Sequence, residues 1–187
     1  FVKNHRLGKK FVLIVWLQRL GDLLFSDDDV LVFNKPKDIL HHWENGSSSY
    51  NCEKTTHTCK DKIVIESLPK LKLDYIHNLN SGIMTIPQNS LSEKTVHLLM
   101  KDWNIHKSQS WLTEQTFFSI LLYELNAIPL DEYDYYTGFA GMLINEKDRD
   151  YNNLIVRHFT APVRHLMRSK GIPLLHKKLL RQNTIRQ

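Results

Sequence analysis

The sequence predicts a single α/β domain, and three observations predict it. Short apolar runs rich in β-branched and aromatic residues recur along the chain, at residues 23–25, 30–33, 63–65, 83–86 and 154–159. Runs of this kind read as buried strands. Between them lie segments with helical spacing, such as Val96, Leu99, Met100 and Trp103, a stripe that belongs in a core. The third is bulk: 187 residues, 42% hydrophobic and 24% charged, suit one domain with a real core and are unlike a disordered chain.

The first strand region carries the chemistry. In Leu23-Leu24-Phe25-Ser26-Asp27-Asp28-Asp29-Val30-Leu31-Val32-Phe33 three consecutive carboxylates join two apolar runs. Such carboxylates repel one another and demand cations or water in compensation. Two readings stand side by side: a solvated turn between strands, or oxygen ligands for a hard divalent cation, Mg²⁺ or Mn²⁺.

The remaining elements follow in order. Residues 9–20, with Trp16, Leu17 and Leu20, form a buried helix that breaks at Gly21-Asp22. After the turn at Asn34-Lys35-Pro36-Lys37, Asp38 can cap a short helix over Ile39 to Trp43. Residues 45–61 hold Gly, Ser, Asn, Thr, Lys and both cysteines, and read as a surface insertion. Cys52 and Cys59 suit free thiols or a loop disulfide; zinc with His57 falls short of the usual four ligands. Ile63-Val64-Ile65 is a short strand candidate, and Ile83 to Ile86 a strand entered through Asn80-Ser81-Gly82. Glycine there signals close approach to the backbone. Ser90 or Ser92 can cap the next helix, with Glu93 completing a capping box. Another helix opens at Thr113-Glu114-Gln115 and continues through Phe117, Phe118, Ile120, Leu121, Leu122 and Leu125. Tyr133, Tyr135 and Tyr136 suit packing or a sugar-stacking platform, and Leu154 to Phe159 is the last strand.

The net charge is +5, much of it near the C-terminus (Arg157, Arg164, Arg168, Lys170, Lys177, Lys178, Arg181, Arg186). Residues 166–187 read as a basic tail that suits phosphates or an anionic membrane surface. No nucleic acid is expected, because no recognition motif accompanies the charge. The longest apolar run, Phe11 to Leu17, falls far short of the roughly 20 residues of a membrane span.

The carboxylate segment resembles the Asp-x-Asp stretch of GT-A-fold nucleotide-sugar glycosyltransferases. Three later segments resemble the same family in the same order: Asn80-Ser81-Gly82-Ile83-Met84, then Glu114-Gln115, then His158-Phe159. The resemblance implies a GT-A-like mixed sheet flanked by helices, and a hexosyltransferase-type enzyme that uses a nucleotide-sugar donor and a sugar or glycoconjugate acceptor. It implies that Asp27, Asp29 and His158 hold Mn²⁺ or Mg²⁺, and that Asn80, Ser81 and Gly82 line the sugar pocket. Glu114 and Gln115 take the catalytic positions, with Glu114 where the family commonly has Asp, and Arg164 replaces a phosphate-binding lysine. The family's nucleotide-binding βα units precede its Asp-x-Asp strand, and only 26 residues precede Asp27 here. This, with Phe1 in place of Met, makes the chain the C-terminal portion of a catalytic domain, a piece expected to bind a nucleotide poorly. The rival readings are a non-catalytic binding protein that keeps the fold, and a metal-dependent phosphotransferase or nuclease.

Overall fold

The structure, a computed structural model, describes residues 6–53, 60–101, 112–137, 151–160 and 163–185. In chain order the elements are α1 (Arg6–Leu17), β1 (Leu23–Ser26), β2 (Val30–Val32), α2 (Lys37–Glu44), β3 (Ser49–Cys52), α3 (Lys62–Leu71) and β4 (Leu79–Ile86). There follow α4 (Glu93–Lys101), α5 (Thr113–Glu124), β5 (Ile128–Pro129), β6 (Tyr135–Thr137) and β7 (Val156–His158). The chain closes with α6 (Arg164–Leu166), a π-helical turn over Met167–Gly171, and α7 (Ile172–Ile185).

Two mixed sheets flanked by helices make an α/β fold. The first has the order β1-β4-β3-β5, antiparallel except for the β3–β5 pair. The second has the order β2-β7-β6, with β2 antiparallel and β6 parallel to β7. The main core lies under the first sheet, where Phe11 and Ile14 of α1 and Phe117, Phe118 and Leu121 of α5 meet Leu79, Met84 and Ile86 of β4. Residues 113–122 of α5 are buried on every side, as expected of a helix enclosed by neighbours. A smaller cluster, Ile39, Ile83, Leu130, Tyr135 and Val156, fills the space between the sheets. A third, with Phe33, Tyr136, Tyr151 and Phe159, lies under the C-terminal helix. Gly171 lets that helix approach, since a Cβ there would stand 2.8 Å from both Leu31 and Phe159.

The predicted helices at the N-terminus and opening near Glu93 and Glu114 are present, as is the break at Gly21, but the first ends at Leu17 and leaves Trp16 and Leu20 exposed rather than buried. Of the stripe expected in the core, Val96 and Leu99 are buried, Met100 is exposed, and Trp103 lies outside the described residues. Several expectations are corrected. The tract 45–61 is not simply a surface loop, because Ser49–Cys52 is a fully buried strand beside β4. Its polar side chains are paired, Ser49 Oγ with Thr85 Oγ1 at 2.8 Å and Asn51 Nδ2 donating to Thr137 Oγ1 at 2.5 Å. Ile63-Val64-Ile65 is helical: Asp61 caps α3 by accepting from Ile63 N, and Val64 and Leu68 then share the buried face. Asp38 lies inside α2 rather than capping it. Ser92, not Ser90, caps α4 by accepting from Thr95 N at 3.2 Å, while Ser90 Oγ donates to Pro87 O. The Asn80-Ser81-Gly82 segment is part of β4 itself. The basic tail expected after residue 166 is helical through residue 185. Cys52 is a buried free thiol, and burial pushes its pKa up to about 11; Cys59 and His57 lie outside the described residues.

Candidate functional site

The three consecutive aspartates are where the chain crosses from one sheet to the other. Asp27 N still donates to Gly82 O of β4 at 2.8 Å, while Asp29 O accepts from Phe159 N beyond β7 at 2.8 Å. Asp28 is the exposed crossing residue between them. Because β2 pairs with β7 in the register Val30–His158, the imidazole at the far end of the chain is brought to the carboxylates. His158 Nε2 stands 2.9 Å from Asp29 Oδ1 and 3.8 Å from Asp27 Oδ2. All three donor atoms lie within 4.8 Å of one another. Octahedral ligands at about 2.1 Å from an ion stand about 3 Å apart when cis and about 4.2 Å when trans. Two carboxylates and one imidazole at this spacing could hold a divalent metal ion. Asp27 keeps a quarter of its side chain exposed, so the donors can be reached from solvent.

Burial works to raise the pKa of Asp29, but the hydrogen bonds and charges of His158 and then Arg164 outweigh it and hold the carboxyl at about 2. Folded-state depression means that the carboxylate stabilises the fold above its unfolded value and loses that contribution as pH falls toward 2. The stability difference between wild type and Asp29→Asn is therefore expected to shrink by roughly 2 kcal/mol between about pH 6 and pH 2. Chemical denaturation of both proteins along that pH range checks it.

A second group lies on the other face of β4. Lys10 of α1 reaches Asp27 Oδ1 at 2.9 Å and Glu114 Oε1 at 3.1 Å. Burial disfavours its charge, yet Glu114 and Asp27 more than compensate and raise its pKa. Glu114 is buried at the start of α5, where burial pushes its carboxyl up and Lys10 pulls it back only in part. Ser81 Oγ donates to Glu114 Oε2 at 3.3 Å, and Ser81 N donates to Gln115 Oε1 at 3.4 Å. Ser81, Glu114 and Gln115 thus form one polar layer below Asp27, with Lys10 as the link.

On the imidazole side, Asn80 Oδ1 accepts from Gly82 N at 2.9 Å and lies 2.8 Å from His158 Nδ1, while Asn80 Nδ2 donates to Glu53 Oε1 at 2.7 Å. Gly82 is required here, because an added Cβ would fall on the His158 ring. Pairing with β3 jumps from Met84 to Asn80, an irregularity in the ladder that spans residues 81–83. Asn80 and Gly82 face the imidazole, while Ser81 faces α1 and α5.

No protein-family model matches the chain, and no curated protein matches it.

Arg164 donates from Nε (3.1 Å) and Nη2 (2.5 Å) to Asp29 Oδ2. With Asp28, Asp29, His165, Met167 and Arg168 it lines a cavity of about 570 Å³. The nine residues expected from the sequence to form the site are joined by contacts across the two faces of β4: Asp27, Asp29, Asn80, Gly82, His158 and Arg164 on the imidazole side, and Ser81, Glu114 and Gln115 on the other, linked to Asp27 through Lys10. Sequence reasoning missed Lys10 and Glu53. Lys10 shares a helix face with buried Ile14, and a charge on an apolar stripe is a signal worth reading. Glu53 continues the alternation Ser49, Asn51, Glu53, which a polar strand conceals.

Proposed function

We propose that this chain is the metal-binding core of a GT-A-type glycosyltransferase that takes a nucleotide-diphosphate sugar as donor. The observation that carries this reading is the convergence of Asp27, Asp29 and His158, from distant parts of the chain, so that one ligand atom from each lies within 4.8 Å of the others. An ion held there supplies Lewis-acid stabilisation of a departing diphosphate. The cavity beside Asp29 supports the same reading. Its size falls within the range of small-molecule sites, about 300–1,000 Å³, and Arg164 and Arg168 give it a cationic wall suited to phosphate oxygens. Arg164 is largely exposed, so its guanidinium can also meet a phosphate in the cavity. Lys10 and Arg164 neutralise the two aspartates from opposite sides. Among the described residues the donors form one cluster, which suits a single-ion site better than the two-metal chemistry of nucleases.

The test is isothermal titration of the full chain with Mn²⁺, in the presence and absence of UDP, against the double variant Asp27→Asn with Asp29→Asn. Loss of both carboxylates is expected to weaken Mn²⁺ by at least about 100-fold, beyond the range seen when only an outer partner of a ligand is removed. Any UDP binding that depends on Mn²⁺ should vanish with it. Unchanged Mn²⁺ binding in the double variant overturns the proposal.

A further inference from the structure

From Thr160 to Gln187 the chain holds seven Lys or Arg and no Asp or Glu. Most of this segment is α7, whose inner side is fixed by its contacts. Leu174 and Leu175 pack against the cluster of Phe33, Tyr151 and Phe159, and Lys178 Nζ donates to Asn152 O at 2.8 Å and to Asn34 Oδ1 at 3.1 Å. The opposite side is not the polar face that a helix usually turns to water. Ile172, Leu179 and Leu180 stand 46%, 51% and 55% exposed, and their i, i+7, i+8 spacing puts them in one stripe. His176 sits within that stripe. Lys177 and Arg181, one turn apart, run along its edge, and all three are exposed.

The two properties together select a partner. Exposed apolar side chains flanked by cations, with no carboxylate in the segment, suit a surface that is anionic outside and apolar just beneath. The interface of a bilayer containing acidic lipids is such a surface. A nucleic acid would engage the cations but leave the three apolar side chains in water. At 14 residues α7 is too short for the roughly 20 of a membrane span, so a helix of this kind lies in the plane of the interface.

We propose that the outer face of α7 is a peripheral docking surface for anionic lipid bilayers. Ile172, Leu179 and Leu180 enter the boundary between headgroups and acyl chains, while Lys177 and Arg181 meet the anionic headgroups. The proposal is independent of the metal-centre reading, since none of these five residues lines the cavity beside Asp29.

Flotation of the full chain with vesicles tests it, using phosphatidylcholine alone or with about 30% phosphatidylserine. Wild type should bind the anionic vesicles at least about tenfold more tightly than the neutral ones, and less tightly as salt is raised. Lys177→Gln with Arg181→Gln should weaken that binding by about 25-fold, about fivefold for each cation. Leu179→Gln with Leu180→Gln keeps helix propensity and should weaken it by at least about tenfold. The exchange Lys177→Arg with Arg181→Lys keeps both charges and should bind as wild type does. Circular dichroism without vesicles checks that each variant folds. Should a double variant not fold, Arg181→Gln and Leu180→Gln singly replace it, each with a loss of about fivefold. Wild type that floats with neither vesicle, or equally with both, overturns the proposal. So does a leucine variant that binds like wild type, because the attraction would then be purely ionic. Binding to single-stranded RNA in place of the vesicles would mark a nucleic-acid surface and overturn it as well.

Discussion

Lys10→Met is expected to lower stability by roughly 3 kcal/mol at neutral pH, at the lower end of the cost of breaking a buried ion pair. Methionine keeps the length and apolar stem of lysine, so the packing of α1 on α5 is little changed and the loss is mainly electrostatic. What is lost is the one cation placed within 4 Å of both Asp27 and Glu114 among the described residues. Glu114 is enclosed by α5 and β4, and water cannot take over the role of Lys10 there. The sign of the pH dependence separates this effect from simple misfolding. Burial already raises the pKa of Glu114, and removal of Lys10 raises it further, so the fold of the variant is favoured where that carboxyl is protonated. The destabilisation relative to wild type should therefore shrink as pH falls toward about 4. Urea denaturation of both proteins at several pH values checks this, and a pH-independent loss would mean that Lys10 acts through packing instead.

Gly82→Ala is the second large effect, expected to cost about 3 kcal/mol, the upper end of the overpacking range. The added methyl group meets Nδ1 and Cε1 of His158 and stands 2.8 Å from Asn80 Oδ1. None of these can retreat easily. The imidazole is buried between Asn80 and Asp29, and the Asn80 oxygen is fixed by the Gly82 backbone itself. Relief comes only by swinging the His158 ring away from the aspartates, so Mn²⁺ affinity should fall together with the melting temperature. Thermal unfolding and Mn²⁺ titration on the same preparation test the coupling. A stable Gly82→Ala protein with wild-type metal affinity would show that the close approach of β4 to the ring is not a constraint.

Much of the site was legible because its chemistry is written in residue types that have few other uses at strand ends. Three aspartates between apolar runs, a glycine inside an apolar strand, and a histidine closing another strand each point to a special environment. Pairing of β2 with β7 then brings them together. What was hidden was hidden by the same rules. β3 reads as a loop because Ser49 and Asn51 bury polar groups that only cross-strand partners can satisfy, and no local pattern shows a partner 36 or 86 residues away. Ile63-Val64-Ile65 has strand propensity, but the Asp61 cap and the packing of Val64 and Leu68 decide for helix. Glu53 was hidden for the reason β3 was.

The crossing at Asp28 has a mechanical consequence. Asp27 is fastened to one sheet and Asp29 with His158 to the other, so the three donors meet only when the two sheets are docked. A cation bound at this place would act as a clasp across the seam, and its binding energy would be added to the cohesion of the two sheets.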